Sequence, residues 1–193
     1  KQTLKDLSEK NMGYLLTDVL QTGLIKSVGE GRFERDKDYH FIHLTFQEYF
    51  SARYIVAGLS NKQDKKRIIK FISDNKYHPK YEIVWWFVSG LLSKHDDKSA
   101  LNKFFELLIS APIDLCGYYA RLQILRCLEE SPQAHSDIKI YPDLFQSLRI
   151  FILKLVEWNK GYDKTDLINE ACSYLSYSPK ITELLTQELS GLL

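Results

Sequence analysis

Apolar and polar positions follow two rhythms along the 193-residue chain, a brief one of period near two close to the N-terminus and a long helical one after it. Residues 14–22, YLLTDVLQT, place Leu15, Leu16, Val19 and Leu20 at helical spacing, and Gly23 follows where a left-handed C-terminal cap would sit. LIKSV at 24–28 and DYHFIHL at 38–44 flank the charged, glycine-containing stretch 29–37, which predicts two short strands joined by a long hairpin loop. From there the pattern predicts a helix capped at Thr45 and, after Gly58, helices over approximately 63–75, 80–93, 98–110, 116–130, 143–158, 165–177 and 180–190, separated by turn-rich pieces such as SPQAHSD and NKGYDK. The expected fold is mainly α: a short β-hairpin wing near the N-terminus, then an antiparallel helical bundle or a HEAT-like helical array. Helix followed by hairpin is the closing half of a winged-helix unit, so residues 1–59 read as that half with its exit helix, and 60–193 as a helical domain.

The stretch FIHLTFQEYF, residues 41–50, carries the change from strand to helix. Thr45 and Glu48 have the spacing of a T-x-x-E capping box, with Leu44 and Tyr49 at the two positions of a hydrophobic staple. A Thr45 cap would contribute about 0.5–2 kcal/mol. Projected at 100° per residue, Phe46, Tyr49, Phe50, Tyr54, Val56 and Ala57 fall on one broad face, with Gln47, Glu48 and Ser51 elsewhere. Arg53 lands in the middle of that face, where a guanidinium must be paired or must snorkel to solvent. His43, read as the end of the second strand on the face of Tyr39 and Phe41, stands just ahead of a helix whose free N–H groups attract anions. A phosphate oxygen is one fitting partner for such a ring, and nearby backbone is another.

Pro132 and Pro179 each close an apolar helix pattern, and at an offset of 47 Leu128 matches Leu175 and Ser131 matches Ser178. That period lies at the long end for HEAT or armadillo helix pairs. Stretch 61–80 holds Lys62, Lys65, Lys66, Arg67, Lys70, Lys76 and Lys80. With Ile68, Ile69, Phe71 and Ile72 as the buried side, the lysines read as its solvated face rather than a phosphate surface.

Composition narrows the function classes. Lys and Arg number 26 against 25 Asp and Glu, a balance that argues against a nucleic-acid groove. Cys116, Cys127 and Cys172 lack the spacing of a zinc site or redox pair, which favours a reducing, cytoplasmic setting. The longest apolar run, IVWWFVSGLL at 83–92, is too short for a membrane span and reads as a buried helix. Phosphate-cradling, zinc-hydrolase and nucleophile-elbow signatures are absent, and His40 and His43, an odd number apart on a predicted strand, point to opposite faces and cannot share a metal. No catalytic or metal residues are assigned. The opening at Lys1, without an initiator methionine, suggests a piece of a longer protein.

Placed after YLLTDVLQTGLIKS, the run YHFIHLTFQEYFSARYI resembles the end of the winged-helix domain in NACHT-type NTPases of the STAND class, the group that includes the NLR immune receptors. In that family a strand ending in Phe-x-His enters a helix with a Phe-Gln-Glu-Tyr/Phe core and a following Ala-Ala/Arg-Tyr segment. Phe41, Ile42, His43, Phe46, Gln47, Glu48, Tyr49, Phe50, Ala52, Arg53 and Tyr54 supply the pattern, with Ser51 a mild departure. WWFVSGLLS at 85–93 is similar to a Gly-Leu-Leu helix of the helical domain that follows, and RLQILRCLEES at 121–131 to helices of bacterial members that continue into HEAT-like repeats.

The resemblance implies that His43 contacts the β-phosphate of bound ADP and holds the parent protein closed. Exchange for ATP, with its Mg²⁺, would release the winged helix and let the parent oligomerise in signalling or antiphage defence. The partners implied are the chain's own upstream NTPase domain, further copies of the parent, and a protein ligand on the helical array. The P-loop and hydrolytic residues would precede Lys1, so this segment is expected to be non-catalytic and to hold no nucleotide alone. Two rival readings stand beside this one: a helical-repeat scaffold that binds a protein or peptide, and a winged-helix nucleic-acid binder using 62–80, which the charge balance disfavours.

Overall fold

The computed structural model describes residues 20–29, 37–113 and 118–159. Among them the chain is mainly helical, with a two-stranded antiparallel hairpin ahead of the helices. The elements are β1 (Ile25–Val28), β2 (Asp38–Phe41), α1 (Leu44–Ser60), α2 (Lys65–Asn75), α3 (Glu82–Ser93), α4 (Ser99–Ile109), α5 (Tyr118–Glu129) and α6 (Tyr141–Asn159), with short 3-10 turns at Pro79–Tyr81 and Pro132–Asp137. The chain divides into two compact units, Lys1–Ser51 and Ala52–Leu193, and the division falls inside α1. The sequence-predicted helices at 165–177 and 180–190, the loop at 30–36, most of the helix at 14–22 and the C-terminal halves of the 47-residue matches lie outside the described residues.

In the first unit, β1 and β2 pair in the register Ile25↔Phe41, Lys26↔His40, Ser27↔Tyr39 and Val28↔Asp38. Gly23 adopts φ 71°, the left-handed conformation a helix end requires, and its N–H donates to Leu20 O at 3.1 Å. β2 ends at Phe41 and not at Leu44 as expected, and one further bond, from the Ile42 N–H to Leu24 O at 2.9 Å, lies just beyond the ladder. Tyr39 and Phe41 are half-buried on one side, while Asp38 and His40 are exposed on the other.

The second unit is organised by alternate helices. Glu82 O on α3 accepts from Gln123 Nε2 at 3.3 Å, Trp86 lies under the Arg126 guanidinium at 5.3 Å, and Gly90 faces the Glu130 backbone. These partners advance together along both helices, 40 or 41 positions apart, so α3 and α5 run in the same direction. Gly90 permits the approach: a Cβ there would stand 3.3 Å from Glu130 O. The buried Ser89 hydroxyl donates to Cys127 O at 2.5 Å, and Ser131 Oγ bonds the same carbonyl at 3.0 Å. Small residues and hydroxyls thus bring two backbones together where bulky side chains would hold them apart.

α2 and α4 form the matching pair through Lys76. This residue is 1% exposed and is the C-terminal cap position of α2. Its ammonium donates to Leu107 O at 3.0 Å, to Leu108 O at 3.3 Å and to Ser110 O, the carbonyls that end α4. Two helix C-termini therefore meet at one cation, and α2 and α4 also run in the same direction. Pairing α2 with α4 and α3 with α5, while α3 also packs on α4 and α4 on α5, makes a two-layer stack of helices.

Between the layers lies an aromatic centre. Trp85 is fully buried, with ring centroids of Phe71, Tyr81 and Phe104 at 6.1, 5.9 and 6.4 Å. Ala52, Ile55, Val56 and Leu59 of α1 join the same core, which extends through Ile72, Val88, Leu92, Leu101, Leu125 and Ile138. Gly58 lets α2 approach α1, since a Cβ there would meet Ile68 Cγ1 at 2.5 Å.

Two sequence expectations are corrected here. Arg53 is exposed, because α1 buries the stripe Ala52, Ile55, Val56 and Leu59 and turns Phe46, Phe50, Tyr54 and Ala57 outward. Lys76 is not part of the solvated lysine face; the other lysines of 61–80 are exposed, with Lys70 paired to Asp74 at 2.7 Å. Burial lowers the Lys76 pKa below the ordinary lysine value. Lys76→Ala removes the donor for three carbonyls and is expected to destabilise the chain by about 1.5–3 kcal/mol. The check is a urea unfolding curve with a lower midpoint and an unchanged slope.

Candidate functional site

The strand-to-helix junction is built from aromatic contacts. Once the ladder ends at Phe41, Ile42 and His43 form a bend, and α1 opens at Leu44 with the Phe46 N–H donating to His43 O at 3.1 Å. Phe41 reaches past the bend to stack on Phe50, with centroids 5.7 Å apart and ring planes at 25°. Tyr49 meets Phe50 edge to face at 5.7 Å. Strand and helix are thereby held together across one and a half turns of α1.

This arrangement replaces the predicted cap and staple. The helix opens one residue before Thr45, which puts the threonine inside the first turn; its hydroxyl makes no hydrogen bond to Glu48 among the described residues. Leu44 is 65% exposed and does not pack as a staple. Glu48 is buried, Tyr49 is half-buried, and Gln47 and Arg53 are exposed.

His43 is exposed and stands immediately before the first turn of α1. It lies beyond the strand, so the expected alternation of His40 and His43 across one strand does not apply. Its ring meets Phe46 at a centroid distance of 6.4 Å with planes at 86°, an edge-to-face contact spanning the first helical turn. Among the described residues no hydrogen bond occupies either ring nitrogen. The exposed imidazole and the unpaired N–H groups that open every helix share one end of α1, an arrangement suited to an anionic oxygen from outside the chain. Phe46 and Phe50 are each 39% exposed, and Ile42 and Leu44 are exposed too, so apolar surface surrounds the ring.

Other chemistry-bearing groups are committed to structure. Cys127 is fully buried, and burial pushes its thiol pKa up, which keeps the sulfur protonated and unreactive. Glu129 is held above the usual carboxylate range by burial, with the Arg126 ion pair at 2.9 Å opposing that shift. The Asp97 carboxylate is stabilised by the Ser99 N–H and hydroxyl, both at 2.8 Å, at the start of α4. Among the described residues no group of three or more His, Cys, Asp or Glu side chains is arranged to hold a metal ion, and no helix is long and apolar enough to cross a membrane.

Of the residues selected from the sequence, the structure gathers Phe41, His43, Phe46, Tyr49 and Phe50 at the junction. Thr45 and Arg53 take no part in those ring contacts. The ring partner of His43 was missed by sequence reasoning, although the i, i+3 spacing of two rings across a helix start is a signal for it. No protein-family model, curated protein or solved structure matches the chain.

With the cap unmade, Thr45→Ala is expected to shift stability by less than about 0.5 kcal/mol. Phe50→Ala, which removes the stack on Phe41, is expected to cost about 1–3 kcal/mol. Thermal unfolding of both variants under one condition compares the two effects.

Proposed function

We propose that the chain is the regulatory and transducing segment of a NACHT-type STAND ATPase, the C-terminal part of a winged-helix domain followed by a HEAT-like helical domain. The observation that carries this reading is His43, an exposed imidazole with no hydrogen bond among the described residues, at the N-terminus of a helix and within the motif that resembles that family. In the proposed mechanism, a nucleotide-binding domain upstream holds ADP, and the His43 ring donates a hydrogen bond to a phosphate oxygen. A charge-assisted bond of this kind contributes roughly 1.5–3 kcal/mol, enough to bias a closed-to-open equilibrium by about ten- to a hundredfold. Exchange for ATP and Mg²⁺ removes the contact, the parent opens, and copies assemble in cytoplasmic signalling or defence. This segment supplies the reporter and the lever, while hydrolysis belongs to the upstream domain.

His43→Ala in the parent protein is expected to speed ADP release by about ten- to a hundredfold and to raise the assembled fraction without added ATP. Stopped-flow release of a fluorescent ADP and sedimentation measure the two effects. An unchanged release rate with an unchanged monomer fraction would refute the assignment.

The two-layer stack favours a second reading, a helical scaffold that holds a protein partner without nucleotide. It predicts that the isolated chain, immobilised without nucleotide, retains a partner saturably. Binding that appears only with the ADP-loaded parent would count against it.

A further inference from the structure

The contact between His43 and Phe46 has no part in the core. Phe46 is 39% exposed, and the ring it meets belongs to another exposed residue. Burial does not account for an aromatic at this position, since most of the α1 positions that join the core lie on the other side of the helix, at Ala52, Ile55, Val56 and Leu59. What the phenyl ring does have is a fixed relation to the imidazole. The two residues are three apart across the first turn, and that turn is closed by the Phe46 N–H to His43 O bond of 3.1 Å. With the backbone set, perpendicular rings 6.4 Å apart leave the imidazole fewer orientations than a free exposed histidine would sample. Among the described residues no hydrogen bond competes to orient it.

We infer that Phe46 is the positioning residue for His43: its ring aims the imidazole nitrogens at the space before α1, so an aromatic side chain at 46 is required for the histidine to read a phosphate. The inference rests on the functional reading above, because the ring needs aiming only if it meets a ligand. Phe46 itself touches no ligand; it lowers the entropy lost when His43 binds. A phenyl or phenol ring at 46 preserves this effect, and an aliphatic side chain of similar bulk abolishes it.

Two measurements separate the possibilities. In the isolated chain, the His43 Hδ2 and Hε1 resonances report the neighbouring ring current. Phe46→Leu should return them to the positions of an unstacked histidine, Phe46→Tyr should retain their displacement, and an unchanged urea midpoint shows that the fold survives. In the parent protein, release of fluorescent ADP should be about three- to tenfold faster in Phe46→Leu, with Phe46→Tyr restoring the native rate. Unchanged His43 resonances in Phe46→Leu overturn the positioning role. Altered resonances with ADP release that responds to His43→Ala but not to Phe46→Leu overturn it as well, since orientation would then be irrelevant to binding. If the resonances move and neither variant changes ADP release, Phe46 still orients the ring and it is the nucleotide reading that falls.

Discussion

A single buried ammonium ties the end of α2 to the end of α4 in the second unit. Lys76 leaves the end of α2 and spends its hydrogen bonds on the last carbonyls of α4, so both helices must finish at the same level and run the same way. Placing a lysine at 1% exposure carries a desolvation cost, visible in its lowered pKa. The negative end of a helix dipole and carbonyls that would otherwise be orphaned offset that cost. Were α4 to slip by one turn, the cation would face apolar side chains, so the contact selects one register among the packings that the apolar faces alone would tolerate.

The other layer reaches the same parallel arrangement by different means. α3 and α5 approach through Ser89, Gly90 and Ser131, with hydroxyls bonded to Cys127 O and a glycine against the Glu130 carbonyl. One layer is aligned by charge and the other by close backbone contact, and Trp85 with its ring neighbours fills the space between them. The contacts that align α3 with α5 join residues 40 or 41 positions apart, whereas those of Lys76 with the end of α4 join residues 31 to 34 apart.

The junction at His43 obeys a separate logic. Aromatic pairs link strand to helix there without burying the histidine, and the rigid contact of Phe41 on Phe50 leaves the bend between them as the place where a side chain can face outward. The ring of Phe46 meets the imidazole edge to face across the first turn of α1.

Much of the architecture was legible in the chain itself. Helical periodicity located α2 to α6 within about two residues of their ends, and the hairpin followed from two short runs around a charged loop, because local spacing of apolar residues dictates which face each element must bury. The presence of a histidine at the junction was legible for the same reason. The sequence did not decide which face of α1 turns inward. That helix is apolar almost all round, so projection pointed to Phe46, Phe50 and Tyr54 together with Val56, whereas packing kept Val56, joined it with the smaller Ala52 and with Ile55 and Leu59, and left Arg53 in solvent. Thr45 had the spacing of a cap but lost that role to a helix that opens one residue early. Lys76 is identical in type to its solvated neighbours in sequence. Only the tertiary structure distinguishes it, by bringing to it the carbonyl end of a helix from more than thirty residues away.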